Sequence, residues 1–335
     1  MLFETSAPLE LAELISLIGE SEAIPLCDNG ASIRAVAPIS ESGKSILSFS
    51  NFSLTKTLSN FNIPDGAILI IKKSKREHND TQSHRLLPYS IVEVEKPRHY
   101  FFQAVRALFR DEERSRQGIH KLSFIATDVV LGDNIYIGPF VSVEKGCKVH
   151  NNAILHHGVM LTGRSVIGEN TIIRANSVIG VPGQAIERNQ EGKQLTLPHL
   201  GRVVIGMDTI IGSQSIIVAG SLKDTKIGVG VMIGNQVNIG HNCEVGDHCF
   251  IAPQVVIAGS VSMGTRCWVA PGAKILNKLR IGKNSMIGLG CTYAGWELIH
   301  ETHFRMVIIH LPFHIYCGSR AHIHVVVFTR LYSRG

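Results

Sequence analysis

Sixteen histidines and seven cysteines carry the widest chemical reach in this 335-residue chain, and their spacing decides what they can do. An imidazole titrates near neutrality and can accept a proton from an attacking nucleophile. His241 stands in the stretch IGHN at 239–242, and Gly259 follows it by 18 residues, a spacing that the repeat described below makes meaningful. His248 and the pair His156–His157 have no such partner and read as surface residues on turns. Six more histidines crowd the C-terminal segment, at 300, 303, 310, 314, 322 and 324. No paired carboxylate or cysteine completes a metal-ligand spacing there, so no metal is expected. The cysteines (27, 147, 243, 249, 267, 291 and 317) form no C-x-x-C pair and are expected as reduced thiols.

Net charge is +6, spread along the chain with no block dense enough for a nucleic-acid arm. Aromatic content of 6 % leaves little for stacking on single-stranded nucleic acid, so no nucleic-acid partner is expected. A diffuse positive surface suits an acidic protein or a phosphorylated substrate. Glu4, Glu10, Glu13 and Glu20 spoil a signal or transit peptide at the N-terminus. Apolar runs such as Val325–Phe328 are too short to span a bilayer. The expectation is a cytoplasmic protein with at most peripheral membrane contact.

The residues that could do chemistry need a frame, and an internal period supplies it. From Phe124 the chain divides into sixes: FIATDV, VLGDNI, YIGPFV, SVEKGC, KVHNNA and onward. The second position of each is aliphatic, from Ile125, Leu131 and Ile137 through Ile173 and Ile179. The pattern breaks over 181–202, returns at Ile205, Ile211 and Ile217, gains four residues, and runs again from Ile227 to Ile287. A period of six fits neither a helix at 3.6 nor one long strand at 2. It fits short strands meeting at corners, with one aliphatic per face turned inward and the other side chains turned to water. Gly132, Gly138, Gly168, Gly212, Gly228, Gly246 and Gly282, each just after an aliphatic, read as tight-corner residues. Three faces give 18 residues per coil, so His241 and Gly259 fall on one corner in adjacent coils. Stacked at about 4.8 Å, some eight coils make a prism about 40 Å tall.

The flanks differ. Residues 1–100 carry a helical pattern over 9–18 and strand-like runs at Ala67–Ile71 and Ser90–Val94, which predict a small α/β domain. Residues 101–123 read as a helical connector, with Phe102, Val105, Leu108 and Phe109 on one side of a helix over 98–114. The repeat occupies 124–292 with its excursion at 181–202, and 293–335 breaks the pattern.

Several stretches resemble the UDP-3-O-acylglucosamine N-acyltransferases of lipid A synthesis. They are LPHLGRVVIG at 197–206 and IGNQVNIGHNCEVGDHCFIAPQVVIAGSVSMG at 233–264, together with SFSN at 48–51, GIH at 118–120 and VIGVPG at 178–183, in family order across roughly residues 8–290. The resemblance implies a left-handed parallel β-helix after a small α/β domain, assembled as a homotrimer. It implies transfer of a 3-hydroxyacyl chain from acyl carrier protein to the 2-amine of a UDP-linked acylglucosamine. No cofactor is bound in such a reaction; 4′-phosphopantetheine arrives on the carrier.

By the same resemblance His241 is the catalytic base and the backbone N–H of Gly259 receives the oxyanion, with Lys278 as electrostatic helper. Asn51, Phe49, Asn235 and His157 are assigned to substrate binding. The chain departs from the family pattern at Gly234, where an Asp is usual, and at Lys278, where a second His falls. Val218-Ala219-Gly220 stands for Asp-Arg-Gly, and Ser48 and Leu54 stand for the aromatics that sandwich uracil, leaving Phe49 or Phe52 to substitute. These departures leave two other readings open: an acyl-CoA-dependent enzyme for another amino sugar, and a catalytically silent binding scaffold.

Overall fold

The computed structural model describes residues 3–18, 24–27, 30, 32–73, 87–109, 113–184, 186–293 and 306–307. The chain forms two compact units, Met1–Ser115 and Arg116–Gly335. The histidine-rich segment falls almost wholly outside the described residues, as do the side chains of Cys27 and Cys317.

The first unit is a six-stranded sheet built from β1 (Phe3–Leu9), β2 (Ile24–Cys27), β3 (Ile33–Val36), β4 (Ile46–Ser50), β5 (Ile68–Lys72) and β6 (Ser90–Val94). The order is β1-β3-β4-β5-β6-β2, with β3 to β6 parallel and the two edge strands antiparallel. Strand β5 is a near-continuous apolar run, and β6 is buried along its whole length with Ser90 and Glu93 among its residues, as parallel strands covered on both sides are. Helix α1 (Leu11–Ile18) and helix α3 (Pro97–Leu108) belong to one cluster with Leu47, Ile68, Ile70 and Val92. Helix α2 (Leu54–Asn60) contributes Leu54 to another, with Leu69, Ile71 and Ile91.

Two expectations change here. The helix assigned to a connector is part of this unit, because its stripe is Tyr100, Phe101, Ala104, Val105 and Leu108, which packs against the core, with Tyr100 and Ala104 buried. Phe102 lies outside the stripe, 51 % exposed under the Arg98 guanidinium. Pro97 opens the helix at its first turn, where a missing N–H costs nothing.

The second unit is a parallel β-solenoid whose two- to four-residue strands stack into three sheets of ten, nine and eight strands. We number these faces one, two and three in chain order, beginning from Gly118–Ile119, Phe124–Ile125 and Val130–Leu131. Neighbouring coils pair 18 residues apart, as Ile137 with Leu155 and Leu155 with Ile173. Ile167 pairs with Ile205, 38 positions on, so the 181–202 excursion leaves the prism without disturbing its phase. Ile205 pairs with Ile227, 22 positions on, which expels the four extra residues in the same way.

The interior holds more than one side chain per hexad. The aliphatic turns in, and so does the residue two positions before it, at the corner. Cys147, Ala153, Val159, Val231, Cys243, Cys249, Val261 and Cys267 occupy that second position and are buried. Where the corner residue is a hydroxyl it bonds to a corner carbonyl, as Ser177 Oγ to Gly212 O at 2.8 Å and Ser215 Oγ to Gly234 O at 2.9 Å. The five cysteines described are buried and in no disulfide with one another, and burial pushes Cys243 up to about 11.

The glycines after the aliphatics serve a purpose other than the one expected. None of them has positive φ. At Gly246 an added Cβ would lie 2.6 Å from the Gly264 carbonyl carbon of the next coil, and at Gly206 2.6 Å from that of Gly228, so smallness permits the stacking. The left-handed conformation falls two residues later, on Asn134, Asn152, Asn170, Asn176, Gln236, Asn242 and their equivalents, a set rich in the residue types that tolerate it.

Leu161 is fully buried in the prism. Leu161→Ala is expected to cost about 2–5 kcal/mol by opening a cavity that stacked coils cannot collapse. Denaturant unfolding checks this, and a cost below 1 kcal/mol would show that the coils relax independently.

Candidate active site

His241 follows the face-two strand Asn238–Ile239 and precedes the face-three strand Glu244–Val245, so it occupies the corner between those faces. Gly259 and Lys278 occupy the same corner in the next two coils. Ser260 N donates to His241 O at 2.7 Å and Lys278 N donates to Gly259 O at 3.0 Å. The structure thus gathers all three residues assigned to the chemistry into one column.

The His241 ring lies directly against Gly259. A Cβ built on Gly259 would fall 2.6 Å from His241 Nε2 and 2.7 Å from Cε1, so only glycine leaves room for the imidazole in this position. The Gly259 N–H has no hydrogen-bond acceptor among the described residues, and it belongs to the same residue that the Nε2 edge covers. An imidazole nitrogen beside an open backbone donor is an arrangement that can take a proton at one atom and stabilise a developing negative charge at another.

Below His241 the corner is built by two loops. The four-residue insertion carries Ser221, whose N donates to Asn242 Oδ1 at 2.8 Å, while Asn242 Nδ2 donates to Ser221 Oγ at 2.8 Å. Asn242 N also donates to Thr225 Oγ1 at 2.9 Å, so the Asn after His241 locks the corner beneath it. The excursion forms a short hairpin, Ile186–Arg188 against Gln194–Thr196. Its return limb is fastened to the insertion: Leu200 N donates to Ser221 O at 2.7 Å and Gly201 N to Gly220 O at 3.0 Å. Arg164 Nη2 donates to Leu200 O at 2.6 Å, and Arg202 pairs with Asp224 at 3.2 Å.

That limb brings His199 to His241, with ring centroids 5.7 Å apart and planes at 75°. Sequence reasoning passed over His199 because a residue inside an excursion has no phase in the repeat. A signal was present nonetheless. Both interruptions begin after face-two aliphatics, Ile179 and Ile217, which pair with each other and, through Ile217, with Ile239 just before His241. Both loops therefore leave by the corner that carries His241.

The other assigned residues lie elsewhere. Asn235, His157 and Gly234 are on the corner between faces one and two, and Asn235 Oδ1 accepts from Ser213 N at 2.8 Å, a fastening between coils. At Gly234 a Cβ would meet Pro253 N at 2.5 Å, which explains why no larger residue stands there. His248 is exposed on the third corner. In the first unit Phe49 stacks on Phe101, ring centroids 4.8 Å apart, and packs against the core. Ser48 and Leu54 are buried, Ser48 Oγ bonding to Ala37 O. Asn51 and Phe52 are exposed after β4, so Phe52 is the ring free to meet a ligand in that stretch.

Burial of the imidazole is the larger cause that lowers the His241 pKa from the ordinary histidine value, and the neighbouring His199 lowers it further. A histidine depressed in the folded state contributes stability above its unfolded pKa of about 6.5, and that contribution is lost as pH falls below this through the lower folded value. NMR titration is expected to place the His241 midpoint below that of a histidine in the denatured chain. In Gly259→Ala the added methyl displaces the ring toward solvent and the midpoint should rise. An unmoved midpoint would mean that the ring does not rest on Gly259.

The model of the bacterial transferase hexapeptide (six repeats) matches residues 128–163, 146–180 and 224–259, the last of which ends at Gly259. A protein of Coxiella burnetii named UDP-3-O-acylglucosamine N-acyltransferase is 36% identical over 177 residues, 48% of this chain and 52% of that protein. One of that name from Leptospira biflexa is 43% identical over 99 residues, 30% of this chain and 28% of its own length. Another, from Rhodopseudomonas palustris, is 29% identical over 291 residues, 78% of this chain and 76% of that protein. The chain spans about half the length of the Coxiella relative or less of the Leptospira one, and three quarters of the third.

Proposed function

We propose that this chain, a hexapeptide-repeat relative of the UDP-3-O-acylglucosamine N-acyltransferases, transfers a 3-hydroxyacyl group from acyl carrier protein to the 2-amine of UDP-3-O-acylglucosamine. The observation that carries this reading is the His241–Gly259 contact: an imidazole Nε2 seated against a glycine whose backbone N–H is unclaimed.

The chemistry follows from that contact. As the amine nitrogen attacks the thioester carbonyl carbon, Nε2 of His241 takes the amine proton, and the carbonyl oxygen becomes an oxyanion. The Gly259 N–H donates to that oxygen. Collapse of the tetrahedral intermediate re-forms the carbonyl and breaks the C–S bond, and the imidazolium returns its proton to the departing thiolate. A neutral imidazole is needed at the outset, and the depressed His241 pKa keeps it neutral to lower pH than a free histidine. Lys278, exposed in the same corner about 10 Å along the axis, supplies positive charge for a phosphate-bearing substrate or an acidic carrier. The donor's 4′-phosphopantetheine supplies the thioester.

Assembly of three copies is supported by the outer side of face one. Ile210, Met232, Phe250, Trp268 and Met286 follow one another there in consecutive coils, partly or largely exposed, while the same coils of face three present Lys226, Glu244, Ser262 and Arg280 at the equivalent places. Trp268 is 48 % exposed, its ring centroid 4.5 Å from that of Phe250. A continuous apolar strip of this kind marks a surface that another chain covers. Among the described residues no helix is long and apolar enough to cross a membrane.

The first experiment is amide formation from 3-hydroxyacyl carrier protein and UDP-3-O-acylglucosamine, with wild type compared to His241→Ala. Loss of a general base is expected to lower kcat by about 10²- to 10⁴-fold. Equal turnover in the two proteins would remove His241 from the mechanism. For the assembly, Trp268→Asp is expected to shift the mass measured by light scattering from trimer to monomer, and an unchanged mass would move the interface off face one.

A further inference from the structure

His241 has two ring nitrogens, and the reaction above uses only Nε2. For Nε2 to be a free base the proton must sit on Nδ1, and a histidine base is held in one tautomer by the acceptor that its other nitrogen meets. In this corner Nδ1 of His241 is buried and has no hydrogen-bond partner among the described residues. One other side chain in contact with the ring has the same deficit: Nε2 of His199 is also buried and unpartnered. Two buried, unsatisfied nitrogens on adjoining imidazoles cost more apart than joined.

The remaining charged groups around the corner are already occupied or distant. Arg202 pairs with Asp224 and Lys223 with Glu244 at 3.0 Å, and Lys278 stands two coils on. Val218, on the strand beneath, offers only methyl groups and, with Gly183, forms the surface against which His199 is set; a Cβ on Gly183 would meet Val218 Cγ1 at 2.8 Å and His199 Nε2 at 3.0 Å. The fastenings of Leu200 and Gly201 to the insertion fix the backbone next to His199, so its ring has little freedom to leave.

We propose that His199 is the positioning residue for His241: its Nε2 accepts the Nδ1–H of His241, through one bridging water or a small rotation of the ring. This fixes the tautomer in which His241 Nε2 is the base. The inference rests on the acyltransferase reading for its role in catalysis, but the tautomer itself is a property of the resting protein. A neutral acceptor in this position has a different consequence from a carboxylate. It orients the base while stabilising its protonated form less than a carboxylate would, so the pKa climbs less than it would beside a carboxylate.

The test follows the His241 imidazole by long-range ¹H–¹⁵N correlation in histidine-labelled wild type, His199→Ala and His199→Gln, with the pH profile of kcat taken in parallel. Wild type should show the Nδ1–H tautomer. His199→Ala should show a mixture with Nε2–H and a kcat lower by about 10- to 100-fold, the usual scale for loss of an orienting partner. Removing His199, the second cause of the lowered His241 pKa, should also move the acidic limb of the profile to higher pH. In His199→Gln, Oε1 can accept the same hydrogen, so tautomer and most of kcat should return. A tautomer and acidic limb unchanged in His199→Ala overturn the proposal whatever the turnover. A wild type silent in amide formation whose tautomer nonetheless shifts in His199→Ala would uphold the positioning and overturn the functional reading instead.

Discussion

Every coil of the solenoid has to return to the same phase after 18 residues, because its strands bond to the coil before and the coil after through ladders that admit no slip. A one-residue shift would turn the inward aliphatics outward along the whole length above it. The interior closes this constraint from the other side. Ile167, Ile205, Ile227 and Val245 stack on one face at separations of 38, 22 and 18 residues, and still meet as neighbours. Surplus chain can therefore leave only at a corner, where the backbone already turns.

That rule builds the candidate site. Two surplus segments, one long and one of four residues, leave at the corner between faces two and three and are bonded to each other there. They wall the coil on which His241 sits, so an imidazole that would otherwise project from a solvated turn has a buried nitrogen and a depressed pKa. The same stacking that demands small residues at corners puts Gly259 directly against that ring. Local rigidity comes from the ladder and chemistry from the loops, a division common to folds whose scaffold is more regular than their function.

Much of this was legible in the sequence. The phase of the aliphatics from Ile125 to Ile287 specified the faces, the coil length and the place of both interruptions, and the 18-residue separation of His241 and Gly259 placed them in one corner. Other expectations failed for physical reasons that act outside the repeat. The glycines after the aliphatics are small to admit the next coil, not to turn the chain, and the turning falls on the Asn- and Gln-rich position two residues later. Phe49 is a good aromatic candidate by position, yet its ring is taken by Phe101 on a helix fifty residues away. Asn235 sits six residues before His241 and so one whole face away.

By itself the sequence determined the solenoid, its length and the column that holds His241, Gly259 and Lys278, because each of these follows from a strict period acting on near neighbours. Only the tertiary structure decided what surrounds His241. His199 is 42 positions earlier in the chain, inside a segment with no period, and its place depends on hydrogen bonds from Leu200, Gly201 and Arg164 to partners that no spacing reveals. Periodic contacts can be counted along a chain; contacts made by an expelled loop depend on where its ends are fastened in space.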